Sequence, residues 1–105
     1  MTVYVDALKR YEKVKGRARP GPISMAHMTA DTLDELHAAA EALGLKRAWY
    51  QGPPLTAHAH YDIGRKAWKR AVHGLGAQEV SSRVIAEKAR ALGRLSALNI
   101  PKPKT

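Results

Sequence analysis

The segment His58-Ala59-His60-Tyr61-Asp62-Ile63-Gly64-Arg65-Lys66 places two imidazoles, a carboxylate, a phenol and two cations within nine residues. In an extended chain, successive side chains point to opposite faces. His58, His60 and Asp62 would therefore share one face, and Tyr61 would point to the other. The segment predicts a strand that carries a row of polar side chains on one face.

Apolar residues at helical spacing predict three helices. The first begins at a capping box formed by Thr32 and Glu35 and ends at Gly44. The second follows the polar strand directly and ends at a pair of glycines. The third covers about residues 82–98, and its apolar stripe consists of Ile85, Ala89, Leu92 and Leu95.

Short β-branched or aromatic runs predict the other strands. These are residues 3–5, a short strand or bend within 46–51, and residues 78–82. The basic residues from Lys9 onward, followed by Gly and Pro, favour an exposed loop over 9–22. The expected fold is therefore α/β, with a small single-layer sheet packed by two to three helices. We expect a compact domain over 1–82 and a basic C-terminal helix and tail over 83–105.

The composition restricts the partners more than the fold. Eighteen Lys and Arg against nine Asp and Glu give a formal net charge of +9 in 105 residues. Such a charge is compatible with nucleic acid, anionic small molecules or acidic protein surfaces. Cysteine is absent, which excludes disulfides, zinc–thiolate sites and thiol catalysis. No apolar run reaches membrane-spanning length, and the first residues lack a signal-peptide pattern, so we expect a cytoplasmic protein without membrane contact.

Several ordered motifs resemble one uncharacterised family of small bacterial and phage proteins, domain of unknown function 4031. The similarity covers about residues 1–82 and implies a shared fold and a shared site, but no activity. The motifs that carry it are Tyr4-Val5-Asp6, His27-Met28-Thr29-Ala30-Asp31-Thr32, Glu35-Leu36-His37, Trp49-Tyr50-Gln51, His60-Tyr61-Asp62, Arg70-Ala71-Val72 and Gly76-Ala77.

Imidazoles and carboxylates in these segments suggest a hydrolytic site. We assign catalytic roles to His27, His60 and Asp62, because these groups suit a divalent metal ion or acid–base chemistry. The additional candidate metal ligands are Asp6, Asp31 and His58. A metal-free site is the second form of this hypothesis, in which a carboxylate favours the cationic imidazole beside it.

Purely structural roles are the alternative for the same residues. Asp6 would then end its strand, and Asp62 would cap the helix that begins near Ile63, a role worth about 1 kcal/mol. His60 would bond to the backbone. Acids at the start of the first helix, among them Asp31, suit the helix dipole without any function.

The basic residues indicate a phosphate-bearing ligand. We assign substrate binding to Arg65, Lys66 and Arg70, which follow the polar strand. A metal-dependent phosphodiesterase or nuclease-like hydrolase would use such cations to stabilise developing charge. A nucleic-acid-binding module without chemistry is equally compatible with them. The remaining alternative is a non-enzymatic interaction factor, such as a phage protein that docks on an acidic host protein.

Overall fold

The computed structural model describes residues 2–11 and 23–99, and within them five strands form one mixed sheet. The longest strand, β3, lies at its centre and separates β4 from β1 and β2. In chain order the elements are β1 (Val3–Val5), β2 (Lys9–Tyr11), β3 (Ile23–Ala30), α1 (Leu33–Ala42), a 3-10 turn (Arg47–Trp49), β4 (Tyr61–Gly64), α2 (Arg65–Gly74), β5 (Gln78–Glu79) and α3 (Ser82–Asn99).

β1 and β2 run antiparallel to β3 along the same edge. Val5 pairs with Met28 and Lys9 pairs with Met25, so the chain between β1 and β2 contains one residue more than a continuous ladder would need. Such an extra residue interrupts strand pairing and redirects side chains. The interruption begins at Asp6. On the outer side of β1, β5 pairs in parallel.

One face of the sheet forms the main apolar core under α1 and α2. Val5, Met28 and Tyr61 lie side by side on three adjacent strands and are fully buried. On α1, Leu36 is also fully buried. The His37 Nδ1 lies 2.8 Å from the Tyr61 hydroxyl in a hydrogen bond. The Thr32 hydroxyl accepts from the Glu35 amide at 3.1 Å, which confirms the predicted N-cap.

α3 covers part of the opposite face. Of the predicted apolar stripe, Ile85, Ala89 and Leu92 are buried, whereas Leu95 is 53% exposed. The Ala89 carbonyl accepts a hydrogen bond from the Ala59 amide at 2.9 Å. The helix is therefore part of the packed structure. The boundary at residue 82 stays a prediction about domain organisation.

The structure confirms the α/β class and corrects three local predictions. Residues 9–11 form β2 rather than loop, because β3 offers them a pairing edge. Residues 23–30, expected only to lead into the first helix, form the central strand. Of the short strand or bend predicted within 46–51, the strand is wrong, because the segment contains a 3-10 turn. The rest of the predicted basic loop, residues 12–22, and the tail beyond 99 lie outside the described residues. None of the described helices could cross a bilayer, since none is both long and apolar enough.

Gly93 allows α3 to approach the backbone before β4. A Cβ at this position would overlap the Ala57 carbonyl, which cannot rotate away. Gly93→Ala should therefore destabilise the fold by about 1–3 kcal/mol, as overpacking does, although the same change inside a helix ordinarily stabilises by about 0.5–1 kcal/mol. The matched control is Gly74→Ala in α2, where a Cβ meets no atom within 4 Å. Urea unfolding of both variants checks the sign, and equal effects would contradict the close approach.

Candidate functional site

Side chains from β3, from β4 and its preceding residues, and from the residue that follows β1 converge on the face that α3 partly covers. His27 on β3 pairs directly with Asp62 on β4. On the other side of β3, the Asp6 amide donates to the His27 carbonyl at 3.2 Å. Asp6, His27 and Asp62 thus form a row across the sheet. His60 precedes Asp62 by two residues, so it shares this face, as the sequence predicted.

Asp6 fixes the orientation of the His27 ring. The Asp6 carboxylate is 1% exposed, and its Oδ1 accepts from the His27 backbone amide at 2.7 Å. Its Oδ2 lies 2.8 Å from His27 Nδ1. A carboxylate only accepts hydrogen bonds, so Nδ1 carries the ring proton. The lone pair of His27 therefore resides on Nε2, which lies 3.7 Å from Asp62 Oδ1.

His60 is oriented in the same manner by a backbone carbonyl. Its Nδ1 donates to the His58 carbonyl at 2.9 Å, as the structural alternative predicted. In the neutral ring this hydrogen bond places the lone pair on Nε2, which lies 3.4 Å from Asp62 Oδ1; in the protonated ring Nε2 donates to that oxygen. Two imidazole lone pairs and one carboxylate oxygen therefore share a small volume. The predicted capping role of Asp62 is wrong, because Gly64 is the N-cap of α2 and no side chain caps that helix.

Gln51 orients the third side chain. Its Nε2 donates to Asp62 Oδ2 at 2.6 Å, which leaves Oδ1 facing the two imidazoles. Gln51 and His60 also exchange two backbone hydrogen bonds of 2.9 and 2.8 Å. Sequence reasoning gave Gln51 no role. Its function depends on a bridge between segments that are separated by the Pro53-Pro54 turn, and no local pattern signals that bridge.

The close contacts shift the pKa values of the pair in opposite directions. The hydrogen bond to His60 lowers the pKa of Asp62 against the effect of burial, and Gln51 and His27 add to this lowering. Burial disfavours the imidazolium of His60. The hydrogen bonds to Asp62 and to the His58 carbonyl, with the charges of Asp62 and Asp6, outweigh burial and raise the pKa of His60. Without a metal ion, the pair therefore favours an ion pair.

A pocket of about 210 Å³ opens beside the imidazoles on the side of α3. His58, a predicted metal ligand, lines this pocket together with His27 and His60, but its carbonyl is the group that contacts His60. The remaining lining residues are Asp6, Thr56, Ser82, Ile85, Ala86 and Ala89. The α3 residues among them were not assigned to the site from sequence, because apolar residues at helical spacing indicate only helix packing.

The other predicted site residues lie elsewhere. Asp31 accepts from the Tyr4 hydroxyl at 3.1 Å and lies 4.0 Å from the Lys88 ammonium. Arg65 donates to the Ser24 hydroxyl at 3.3 Å, at the start of α2. Arg70 donates to the Ala42 carbonyl at 3.2 Å, so it contacts α1 on the opposite side of the sheet. Lys66 is exposed on α2.

The fold and this cluster define a small mixed α/β protein with two histidines and an aspartate gathered on one sheet face. A family model for proteins of unknown function, DUF4031, matches residues 3–92, and the chain belongs to this family. The match confirms the resemblance and continues ten residues past the expected limit, into α3. No curated protein and no solved structure matches the chain significantly.

The geometry suits a divalent metal ion. One ligand atom from each of His27, His60 and Asp62 lies within 4.8 Å of the other two. Ligand atoms about 2.1 Å from a tetrahedral ion are about 3.4 Å apart, close to the 3.4 and 3.7 Å separations from Asp62 Oδ1. Two imidazoles and one carboxylate suit zinc or iron(II) and leave coordination positions open.

The metal-free protein should show a His60 pKa above the ordinary value of 6.5 and a lower His60 pKa in Asp62→Asn. The change removes the carboxylate charge that stabilises the imidazolium. NMR titration of the His60 ring protons in EDTA measures both values. An unchanged His60 pKa in Asp62→Asn would show that the two side chains do not interact in solution.

The same contact makes stability depend on pH. Because the folded-state pKa of His60 is raised, its contribution is present below pH 6.5 and is lost as the pH rises through the folded value. Because the folded-state pKa of Asp62 is lowered, the contribution of its carboxylate to stability persists until the pH falls below 3.8. In EDTA, Asp62→Asn should therefore destabilise the protein more at pH 5.5 than at pH 8.5, which urea unfolding at both pH values measures.

Proposed function

We propose that this protein is a metal-dependent hydrolase that acts on a phosphodiester in a nucleic acid or another phosphate-bearing ligand. One observation carries the proposal. The Nε2 atoms of His27 and His60 lie 3.7 and 3.4 Å from Asp62 Oδ1, and one ligand atom from each of the three residues lies within 4.8 Å of the others. The other polar atoms of the same side chains are held by Asp6, the His58 carbonyl and Gln51.

This arrangement is the one that metal-binding histidines commonly have. A ligating histidine donates its second ring nitrogen to a carboxylate or a carbonyl, which fixes the tautomer and the ring orientation. Here both histidines have such an acceptor, and the carboxylate has a donor of its own. A structural ion pair would need only His60 and Asp62, whereas here the His27 Nε2 also faces the same carboxylate oxygen, at 3.7 Å.

Three protein ligands leave room for water and substrate. A bound divalent ion would supply a nucleophilic water near neutral pH and polarise a phosphoryl oxygen. The chain's own residues orient the candidate ligands, since Asp6 holds His27 and Gln51 holds Asp62. The pocket beside α3, of about 210 Å³, offers space beside the two imidazoles. Arg65 and Lys66 are exposed at the start of α2, outside the cluster, and their charges would attract a phosphate-bearing ligand to the protein.

A nucleic-acid-binding module without hydrolysis is the second candidate. The net charge of +9 supports it independently of the cluster. Phosphate contacts release counterions, so such binding would weaken steeply as the salt concentration rises. The His60→Ala substitution would hardly change the affinity of such binding, whereas it would abolish hydrolysis, which requires the imidazole.

Removal of either ligand should abolish hydrolysis while the fold survives. We expect His60→Ala and Asp62→Ala to cleave a generic phosphodiester, such as bis(p-nitrophenyl) phosphate with Mn²⁺ or Zn²⁺, at least about 100-fold more slowly than the wild type, a loss of about 3 kcal/mol of transition-state stabilisation. His73→Ala, an exposed histidine on α2, is the matched control and should retain full activity. Activity that survives both ligand substitutions, or resists EDTA, would contradict the proposal.

Asp6→Asn should weaken metal binding without removing a ligand. An asparagine that still accepts from the His27 amide presents its NH₂ group to Nδ1, which favours the tautomer with the proton on Nε2. We expect about a 10- to 100-fold loss of affinity, as for other residues that support a metal ligand. Isothermal titration with Zn²⁺ measures it, and Asp34→Asn on the exposed side of α1 is the control. Equal affinities would show that Asp6 is only a strand-ending residue.

A further inference from the structure

Trp49 is half exposed at the edge of the site. Its exposed fraction is 50%, in a chain that has two tryptophans and no phenylalanine to build its core. The other tryptophan, Trp68, packs against the core and donates its indole N–H to the Asp6 carbonyl at 2.8 Å. A large ring left in solvent, where it contributes little to stability, indicates a contact surface for another molecule.

The position of Trp49 relative to the metal ligands is fixed by the backbone. The residue ends the 3-10 turn (Arg47–Trp49), and its amide donates to the Lys46 carbonyl at 2.9 Å. Two residues later, Gln51 pairs with His60 through two backbone hydrogen bonds and donates to Asp62. The same short segment therefore carries both the exposed ring and the group that orients a candidate ligand.

The ring and the ligand line one shallow depression. This depression, of about 530 Å³, shares no lining residue with the pocket beside α3. Trp49 and Asp62 line it with Gln51 and the apolar residues Met25, Leu45 and Ala48. Its surface is thus largely apolar at the ring and includes Asp62, one of the three candidate metal ligands.

Three cations are close in sequence to residues that line the depression. Lys46 and Arg47 precede Trp49 on the turn and are exposed, and the Lys46 ammonium lies 5.6 Å from the centre of the Trp49 ring. Arg65 follows the lining residue Gly64 at the start of α2. Asp62 is the one acid among the described residues that line the depression. An aromatic face flanked by Lys and Arg complements a ligand that carries both a planar base and phosphates.

We propose that Trp49 is a stacking platform for an unpaired base, and that the protein binds single-stranded nucleic acid with an adjacent phosphate at the His27, His60 and Asp62 cluster. The position of the phosphate rests on the proposed function, whereas the stacking contact does not. In a duplex, both faces of each base are covered by neighbouring pairs, so a surface ring cannot stack on them. Single strands offer their bases freely, and aromatic side chains bind them with little sequence preference.

Fluorescence anisotropy with a fluorescein-labelled ten-nucleotide oligo(dT), at low salt and in EDTA, tests the contact without turnover. Stacking is worth roughly 1–3 kcal/mol per base, so Trp49→Ala should weaken binding by about 5- to 150-fold. Trp49→Tyr retains an aromatic face and should recover most of the affinity. Leu55→Ala is the matched control, because Leu55 is 88% exposed and outside the depression.

A duplex of the same length should bind more weakly, and its affinity should not depend on Trp49. Oligo(U) should behave like oligo(dT). The inference is overturned if wild-type protein does not bind the oligonucleotide, if Trp49→Ala binds it as tightly as wild type, or if poly-glutamate competes equally well for the Trp49-dependent contact. A protein that binds oligo(dT) through Trp49 but hydrolyses no phosphodiester overturns only the proposed hydrolysis, so the two failures are distinguishable.

Discussion

The buried carboxylate of Asp6 is the constraint on which the site depends. β1 stops pairing regularly with β3 at this residue, so the His27 amide would lose its backbone acceptor. The Asp6 side chain supplies the acceptor instead and also holds the His27 ring. Because a buried, unpaired amide would cost about 1–3 kcal/mol, the same two hydrogen bonds complete the sheet and orient the imidazole. The Asp6 side chain thus both supports the sheet and orients a candidate metal ligand.

One face of the sheet forms the apolar core, and the other carries the polar cluster. Period-two alternation sends Tyr61 into the core under α1 and α2, and it sends His60 and Asp62 to the other face. α3 covers only part of that face, with Ala89 bonded to the chain just before β4. The imidazoles lie beside α3, at the edge of the part of the face that the helix covers. They are therefore half-buried: sheltered enough for their hydrogen bonds to be strong, and open enough to meet a ligand.

Local chemistry made some of this architecture predictable. The N-cap at Thr32 and the alternation from His60 to Asp62 depend on residues close together in sequence, so their patterns could be read directly. β3 could not, because Ala26, Met28, Thr29 and Ala30 are buried in succession or alternation with a half-exposed His27, and its Ala and Met residues are not typical of strands. The contacts of Asp6 with His27 and of Gln51 with Asp62 arise only from sheet register, which no single segment encodes.

The candidate ligands come from different strands, and that origin has a thermodynamic consequence. His27 lies on β3, while His60 and Asp62 lie at β4 and are braced by the turn that carries Gln51. An ion held by all three side chains would act as a cross-link between adjacent strands, and it would bind the native chain far better than the unfolded one. By mass action, such an ion would raise the melting temperature in proportion to the logarithm of its free concentration. Fluctuations that part β3 from β4 would release it, so its residence time would report on how often the sheet opens.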